Sequence, residues 1–171
     1  MNVLDAIRLK RSVRRFTSDP LPDDAVRAIL NAGRRAQSSK NTQPWRFVAV
    51  TDRDTLTQLA RTGDFAGHLA GAALGVVIVT PDDPERREWL MFDVGQAAAY
   101  MQLAAWELGI GSVIATIYHP EQARAILGVP DGYRCDVALS FGHPADATVL
   151  TAPPKQGGRY PLDEMVHYNR W

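Results

Sequence analysis

The chain has a single cysteine, Cys135, among 171 residues. That excludes an intrachain disulfide and suits a reducing compartment, so a cytoplasmic location is expected. It has no net charge, because nineteen Lys and Arg balance nineteen Asp and Glu. No overall field draws it to nucleic acid or to an anionic membrane, and neither is expected as a partner. It also lacks a long apolar run: the longest, 72–80, is about half of the ~20 residues that span a bilayer. Asp5, Arg8 and Lys10 interrupt the N-terminus before a signal-peptide core could form. His68, His119, His143 and His167 are scattered and no H-E-x-x-H occurs. No metal site is expected, and the histidines read as structural or surface residues. There is no G-x-S-x-G elbow, and Cys135 lies in an apolar segment that makes it an inert buried thiol. Gly109-Ile110-Gly111 lacks the third glycine of a dinucleotide fingerprint and follows a helical pattern, so helix termination accounts for both glycines. No repeat, linker or low-complexity tract divides residues 1–171, which read as one domain.

What is present is an alternation of helix and strand signals. Asn2 caps a short helix with Val3, Leu4 and Ile7 expected on its inner face. Pro22, Asp23 and Asp24 open a second helix ending near Gly33. Strands are expected over 45–51, 73–80, 112–117 and 135–141, and the second, continuously apolar, should be buried on both faces. Helices are expected over 54–61 and 120–127, with a loop or weak helix over 63–71. The longest helix, 91–108, is apolar almost all round, as only a helix covered on most sides can be. In so small a protein this points to a subunit interface, with Ala98 placed on the interface side. The tail from Ala145 to Trp171 has no periodicity but carries Leu162, Met165, Val166 and Trp171, so it needs a surface to dock on.

Three polar groupings carry chemistry. Eight of the nineteen basic residues fall in the first 35 positions, a local positive site suited to a small anion. Within it, Lys10-Arg11-Ser12-Val13-Arg14 offers charge, a hydroxyl and planar guanidinium forks for a phosphate, or simply a solvated basic turn. Ser38-Ser39-Lys40-Asn41-Thr42-Gln43-Pro44 concentrates amides and hydroxyls that could meet the polar edge of a heterocycle, or else satisfy their own backbone in a turn. Lys155-Gln-Gly-Gly-Arg159-Tyr-Pro-Leu162 is a third, late basic stretch.

Taken together these segments resemble the nitroreductase family of FMN flavoproteins. Lys10 to Phe16 is similar to the family's opening "RRSxRxF/Y" signature, and Ser38 to Phe47 to its "PSSxNxQPWRF" signature. The segment with Asp93 and Leu103-Ala104-Ala105, followed by Leu108-Gly109-Ile110-Gly111-Ser112, resembles the central helix and "LGxGS" turn. Val137 to Pro144 and Lys155 to Leu162 resemble the penultimate strand and the C-terminal basic segment. The resemblance implies an α+β sandwich with a central mixed or antiparallel sheet flanked by helices. It also implies an intertwined homodimer, joined through the long helix with the C-terminal segment crossing over, and FMN at the subunit interface.

By the same resemblance, Lys10, Ser12 and Arg159 hold the FMN phosphate with Arg11 beside them. Arg14 lies near the flavin N1 and O2 edge, where a cation stabilises the reduced anion. Ser38, Ser39 and Asn41 reach the flavin of the other subunit, with Gln43 and Arg35 as further contacts. Ile114-Ala115-Thr116 passes the isoalloxazine with a backbone N–H near N5, and no side chain is assigned a catalytic role. Lys10 stands where the family commonly has Arg, Gln37 where Pro is frequent, and the segment between Gly63 and Trp89 is brief. The implied activity is ping-pong hydride transfer from NAD(P)H through FMN to a small-molecule acceptor such as a nitroaromatic or quinone. The alternatives are a specialised reaction on the same fold (dehalogenation, flavin destruction or ring oxidation) and a flavin-binding module without turnover.

Overall fold

A computed structural model describes residues 2–153 and 158–171. Its centre is a four-stranded sheet: β1 (Arg46–Val50), β2 (Leu74–Pro81), β3 (Gly111–Thr116) and β4 (Tyr133–Gly142), in the order β1-β2-β4-β3. Every neighbouring pair is antiparallel. Around it lie helices α1 (Val3–Leu9), α2 (Asp23–Arg34), α3 (Arg53–Leu59), α4 (Arg87–Glu107), α5 (Pro120–Leu127) and the single-turn α6 (Leu162–Met165), with short 3-10 turns over Ser39–Asn41, Gly67–Gly71, Pro84–Arg86 and Ala147–Leu150. Each expected strand is found within one or two residues.

The sheet is covered on both faces, and the two-residue period of β2 shows how. Leu74, Val76 and Ile78 pack against α2 and α4 with Ile29, Val94, Ala97, Ala98, Met101 and Ala105. Val77 and Val79 point the other way, into Leu56 and Leu59 of α3 and Ala123 of α5. A continuous apolar run is therefore the signature of a middle layer. Burying a side chain of this size contributes roughly 1.5–3 kcal/mol, so the two cores dominate stability. The α2–α4 contact is close: a Cβ on Gly33 would lie 2.1 Å from Met101 Cε, so a larger residue there would make the buried Met101 side chain move aside.

Helix ends follow the chemistry of their caps. The Asn2 side chain accepts from the Asp5 amide, and Asp52 does the same for Thr55 at the start of α3. Gly128, with φ 63°, closes α5 in the left-handed conformation. Two expectations need correction. In α1 it is Ala6 that is buried, whereas Val3, Leu4 and Ile7 are exposed, because only one side of this short helix meets α4 and the strap below. In α4 the helix begins at Arg87, after a tight turn over Pro84–Arg86 capped by Asp83, rather than at Met91. Ala98 also faces the chain's own core, while Phe92, Gly95 and Ala99 form the outward line of the same helix. No helix among the described residues is long and apolar enough to cross a membrane.

Candidate functional site

The first basic segment is an extended strap laid across the end of the sheet. Lys10 closes α1 through its amide to the Ala6 carbonyl. From there Ser12 bridges Ser112 in parallel and Phe16 bridges Pro144 antiparallel. The Val13 amide donates to the Ser112 carbonyl at 3.0 Å, Thr17 to His143 at 2.9 Å, and Ala145 to Arg15 at 3.0 Å. Extended backbone alternates its side chains, so Val13 is buried while Ser12 and Arg14 face out. Gly111 and Gly142 permit the contact: a Cβ on either would come within 3.0 Å of Val13 or Phe16.

This strap gathers charge from both ends of the chain. Lys10 is held below the usual lysine range, first by burial and then by the positive charge of Arg159. Like charges that feel each other disfavour their own charged forms unless an anion joins them. Among the described residues neither forms a salt bridge with a carboxylate. Arg11 differs: its guanidinium donates to the Ala152 carbonyl at 2.5 Å and to the Leu9 carbonyl at 3.3 Å, tying the tail to the strap. The Ser112 hydroxyl beneath the strap is buried without a hydrogen-bond partner. Lys155 lies outside the described residues.

Beside the strap, β3 forms the sheet edge. Because the Ser112 carbonyl points outward to Val13, the antiparallel alternation turns the backbone groups of Ser112, Ile114 and Thr116 away from β4. The Ile114 N–H is therefore turned to the sheet's open edge, and Ile114 lines a cavity of about 520 Å³ with Arg14, Arg15, Asp64, Phe65, Gly67 and His68. Ala115 does not share this outlook; its side chain is buried in the α3–α5 core. His68 Nδ1 lies 2.6 Å from Ser140 Oγ, and burial followed by the charge of Arg14 holds the imidazole below the ordinary histidine range. Sequence reasoning set His68 aside with the other histidines. No spacing marks it, since its partner lies on β4.

The second polar loop is built differently. Its backbone takes left-handed conformations at Lys40 (φ 50°), Asn41 (φ 55°) and Gln43 (φ 47°). For L-residues each costs of order 1 kcal/mol. Hydrogen bonds hold the shape: the Gln43 amide donates to Ser38 Oγ at 2.9 Å, and Gln43 Nε2 to Asn41 Oδ1 at 3.2 Å. The Ser39 amide donates to both carboxylate oxygens of Asp93, which is buried on α4. The i, i+3 and i+4 pattern of α4 carries no hint of that role, so Asp93 was missed as a site residue. Arg35, exposed at the C-terminal end of α2, leads into this loop.

A second cavity, of about 460 Å³, lies between this loop and the first turns of α4 and is lined by Ser39, Lys40, Thr42, Arg86, Trp89, Leu90 and Asp93. It shares no lining residue with the cavity beside Ile114. The chain thus brings Lys10, Ser12, Arg14, Ile114 and Arg159 to the strap and sheet edge. It sets Ser38, Ser39, Asn41 and Gln43 apart, against α4.

Comparison with known proteins places this arrangement in a class. The model of the nitroreductase family matches residues 7–66 and 64–143, which takes in the strap, the polar loop, the whole sheet and α4. The chain belongs to the nitroreductase family. It is 31% identical over 149 residues to an Archaeoglobus fulgidus protein provisionally named NADH dehydrogenase/NAD(P)H nitroreductase, covering 84% of this chain and 86% of that one. Among solved structures it is similar to the FMN-dependent nitroreductase of Clostridium difficile R20291, with a TM-score of 0.86, 26% identity and coverage of 99% and 100% of the two chains. It is likewise similar to the NADPH:FMN oxidoreductase of Vibrio harveyi complexed with NAD+, with a TM-score of 0.85 and 26% identity. There 98% of this chain matches 77% of the other.

Proposed function

We propose that the chain is an FMN-dependent oxidoreductase that passes hydride from NAD(P)H to a small acceptor, such as a nitroaromatic or quinone, in a ping-pong cycle. The observation that carries this reading is the strap itself: Lys10, half-buried and paired with no carboxylate among the described residues, stands two residues from the exposed Ser12 hydroxyl, and Arg159 adds positive charge to the same place. A phosphate monoester with two negative charges satisfies both cations, and the Ser12 hydroxyl adds a donor. The buried, unpartnered Ser112 hydroxyl under the strap marks the same place as polar. The residues present therefore fit FMN, as in the relatives whose names include it.

When bound, FMN would supply two-electron, hydride-accepting chemistry. The chain's part is to bind and orient. Arg14, at the cavity beside Ile114, would offer a fixed cation to the negative charge of a reduced flavin held there, and a preoriented charge in a partly dry site is worth more than in water. The outward Ile114 N–H supplies a donor on the sheet edge. His68, neutral near pH 7 and hydrogen-bonded to Ser140, adds no second charge there. With no acid or base needed at the hydride-accepting atom, positioning is the main task of the protein.

The separation of the two cavities supports a homodimer in which Ser39 and Asn41 of one subunit reach the cofactor of the other. The exposed line of Trp89, Phe92 and Tyr100 on α4, together with Val3, Leu4 and Ile7, supplies the apolar surface that such a dimer would cover. The test is direct. Purified protein should be yellow, bind about one FMN per subunit, and oxidise NADH or NADPH with menadione. A colourless protein that takes up no added FMN would overturn the reading.

A further inference from the structure

His68 is held in place from two sides. Its 3-10 turn, Gly67–Gly71, is anchored by Ala66 and Leu69, both fully buried in the core under α3 and α5. The Arg53 guanidinium of α3 donates to the Ala70 carbonyl at 2.8 Å and to the Ala72 carbonyl at 3.0 Å, fastening the far end of the turn. The imidazole thus sits half-buried in the wall of the cavity that Arg14 and Ile114 also line. Its Nδ1 lies 2.6 Å from Oγ of the fully buried Ser140 on β4, and its Nε2 is buried without a hydrogen-bond partner. A serine hydroxyl both donates and accepts, so Ser140 serves Nδ1 with or without a proton on it. The ring can therefore gain a proton and keep this contact.

The charged groups around the ring are Arg14 and Arg15 of the strap and Asp64 of the preceding turn, with Arg53 behind it. The guanidiniums keep their protons at any working pH and Asp64 is an exposed carboxylate, so the imidazole is the group suited to exchange a proton near neutrality. Burial, and then the charge of Arg14, keep it neutral while no anion is present. We infer that His68 is the proton store of this site, taking a proton from solvent as the flavin is reduced and releasing it as the acceptor takes hydride. The inference rests on the oxidoreductase reading and adds to it the source of the acceptor's proton. Hydride from NAD(P)H brings two electrons and one proton, and leaves the flavin with a negative charge. Arg14 is assigned to that charge and lines the cavity together with His68, so the same anion favours the protonated imidazole. A quinone then consumes the hydride and one proton to become a hydroquinone, which returns both the flavin and His68 to their starting forms.

The experiment uses the FMN-loaded protein, labelled with nitrogen-15 in its histidine rings, before and after reduction by dithionite. The His68 signal is the one lost in His68→Gln, or the one that survives in each of His119→Gln, His143→Gln and His167→Gln. In the oxidised protein it should titrate below the ordinary histidine range, and reduction should raise its proton affinity by about tenfold or more. Redox potentiometry supplies a second readout that a merely structural residue would not move. Near neutral pH the wild type should take up two protons per two electrons, and His68→Gln one, with the reduced flavin anionic by absorbance in both. A His68 signal that titrates alike in the two redox states would overturn the inference and leave the oxidoreductase reading standing. Equal proton counts in wild type and His68→Gln would do the same. A protein that takes up no FMN would sink the reading and the inference together.

Discussion

The Ser39 amide lies 3.2 and 3.3 Å from the two carboxylate oxygens of Asp93, 54 residues further along the chain. This contact fastens a loop with three left-handed residues to the helix that anchors one face of the sheet. Asp93→Ala should cost about 1–3 kcal/mol, because it removes the acceptor of a partly buried amide. Asp93→Asn keeps one acceptor oxygen and should recover most of that loss. Urea melts of the three proteins check the ranking, and equal stability of wild type and Asp93→Ala would show that the loop holds itself.

Arg159 is assigned to the phosphate, so Arg159→Ala should weaken FMN much more than riboflavin, which has no phosphate. A charge-assisted hydrogen bond of roughly 1.5–3 kcal/mol corresponds to about a ten- to hundredfold loss. Flavin fluorescence titrations with both ligands provide the measurement. Equal weakening of the two would remove the assignment.

Two neighbouring alanines on α4 should behave oppositely. Ala98 is buried against the sheet, so Ala98→Glu places a charge in the chain's own core and should abolish cooperative folding. Ala99 shares the outward line with Phe92 and Gly95. Ala99→Glu should leave the fold within about 0.5 kcal/mol of wild type, yet release monomer and FMN together. Circular dichroism separates the two variants, and light scattering with flavin fluorescence over a dilution series reads the second. A monomer that retains FMN tightly would refute the shared site.

Burial, and then the nearby Asp136 carboxylate, push the Cys135 thiol up to about 11. Native protein at pH 8 should therefore resist iodoacetamide, while urea-unfolded protein reacts. The sign of the linkage follows from the raised value. The folded chain keeps the proton between pH ~9 and ~11 whereas the unfolded chain loses it, so this group makes stability fall as pH rises through that window. In Cys135→Ala this part of the pH dependence should vanish, which melts at pH 8 and pH 10 would reveal.

The sequence marks the strands well, because β2 is apolar without interruption and turn residues bound its neighbours. It marks α5 to the residue, between Pro120 and Gly128. It is poorest where a residue's direction decides its role. An all-apolar helix has no preferred side, so Ala98 could not be told from Ala99 before α2 and the sheet were in place. Val3, Leu4 and Ile7 have helical spacing, yet Ala6 is the residue that packs. His68 and Asp93 acquire partners on β4 and in the polar loop, neither of which local spacing reveals. The basic strap and the polar loop are legible as compositions, whereas their separation within one chain is a property of topology alone.

The strap has a consequence for synthesis. Ser12 and Phe16 are made long before their backbone partners Ser112 and Pro144, which follow them by 100 and 128 residues. At about 5–20 residues per second, roughly ten seconds of elongation separate the first basic residues from the strand ends on which they lie. During that interval an arginine-rich segment is exposed next to polyanionic RNA, and a small anion has no preformed cradle to enter. The place proposed for the cofactor's phosphate thus forms only after the strand ends on which the strap lies have been made.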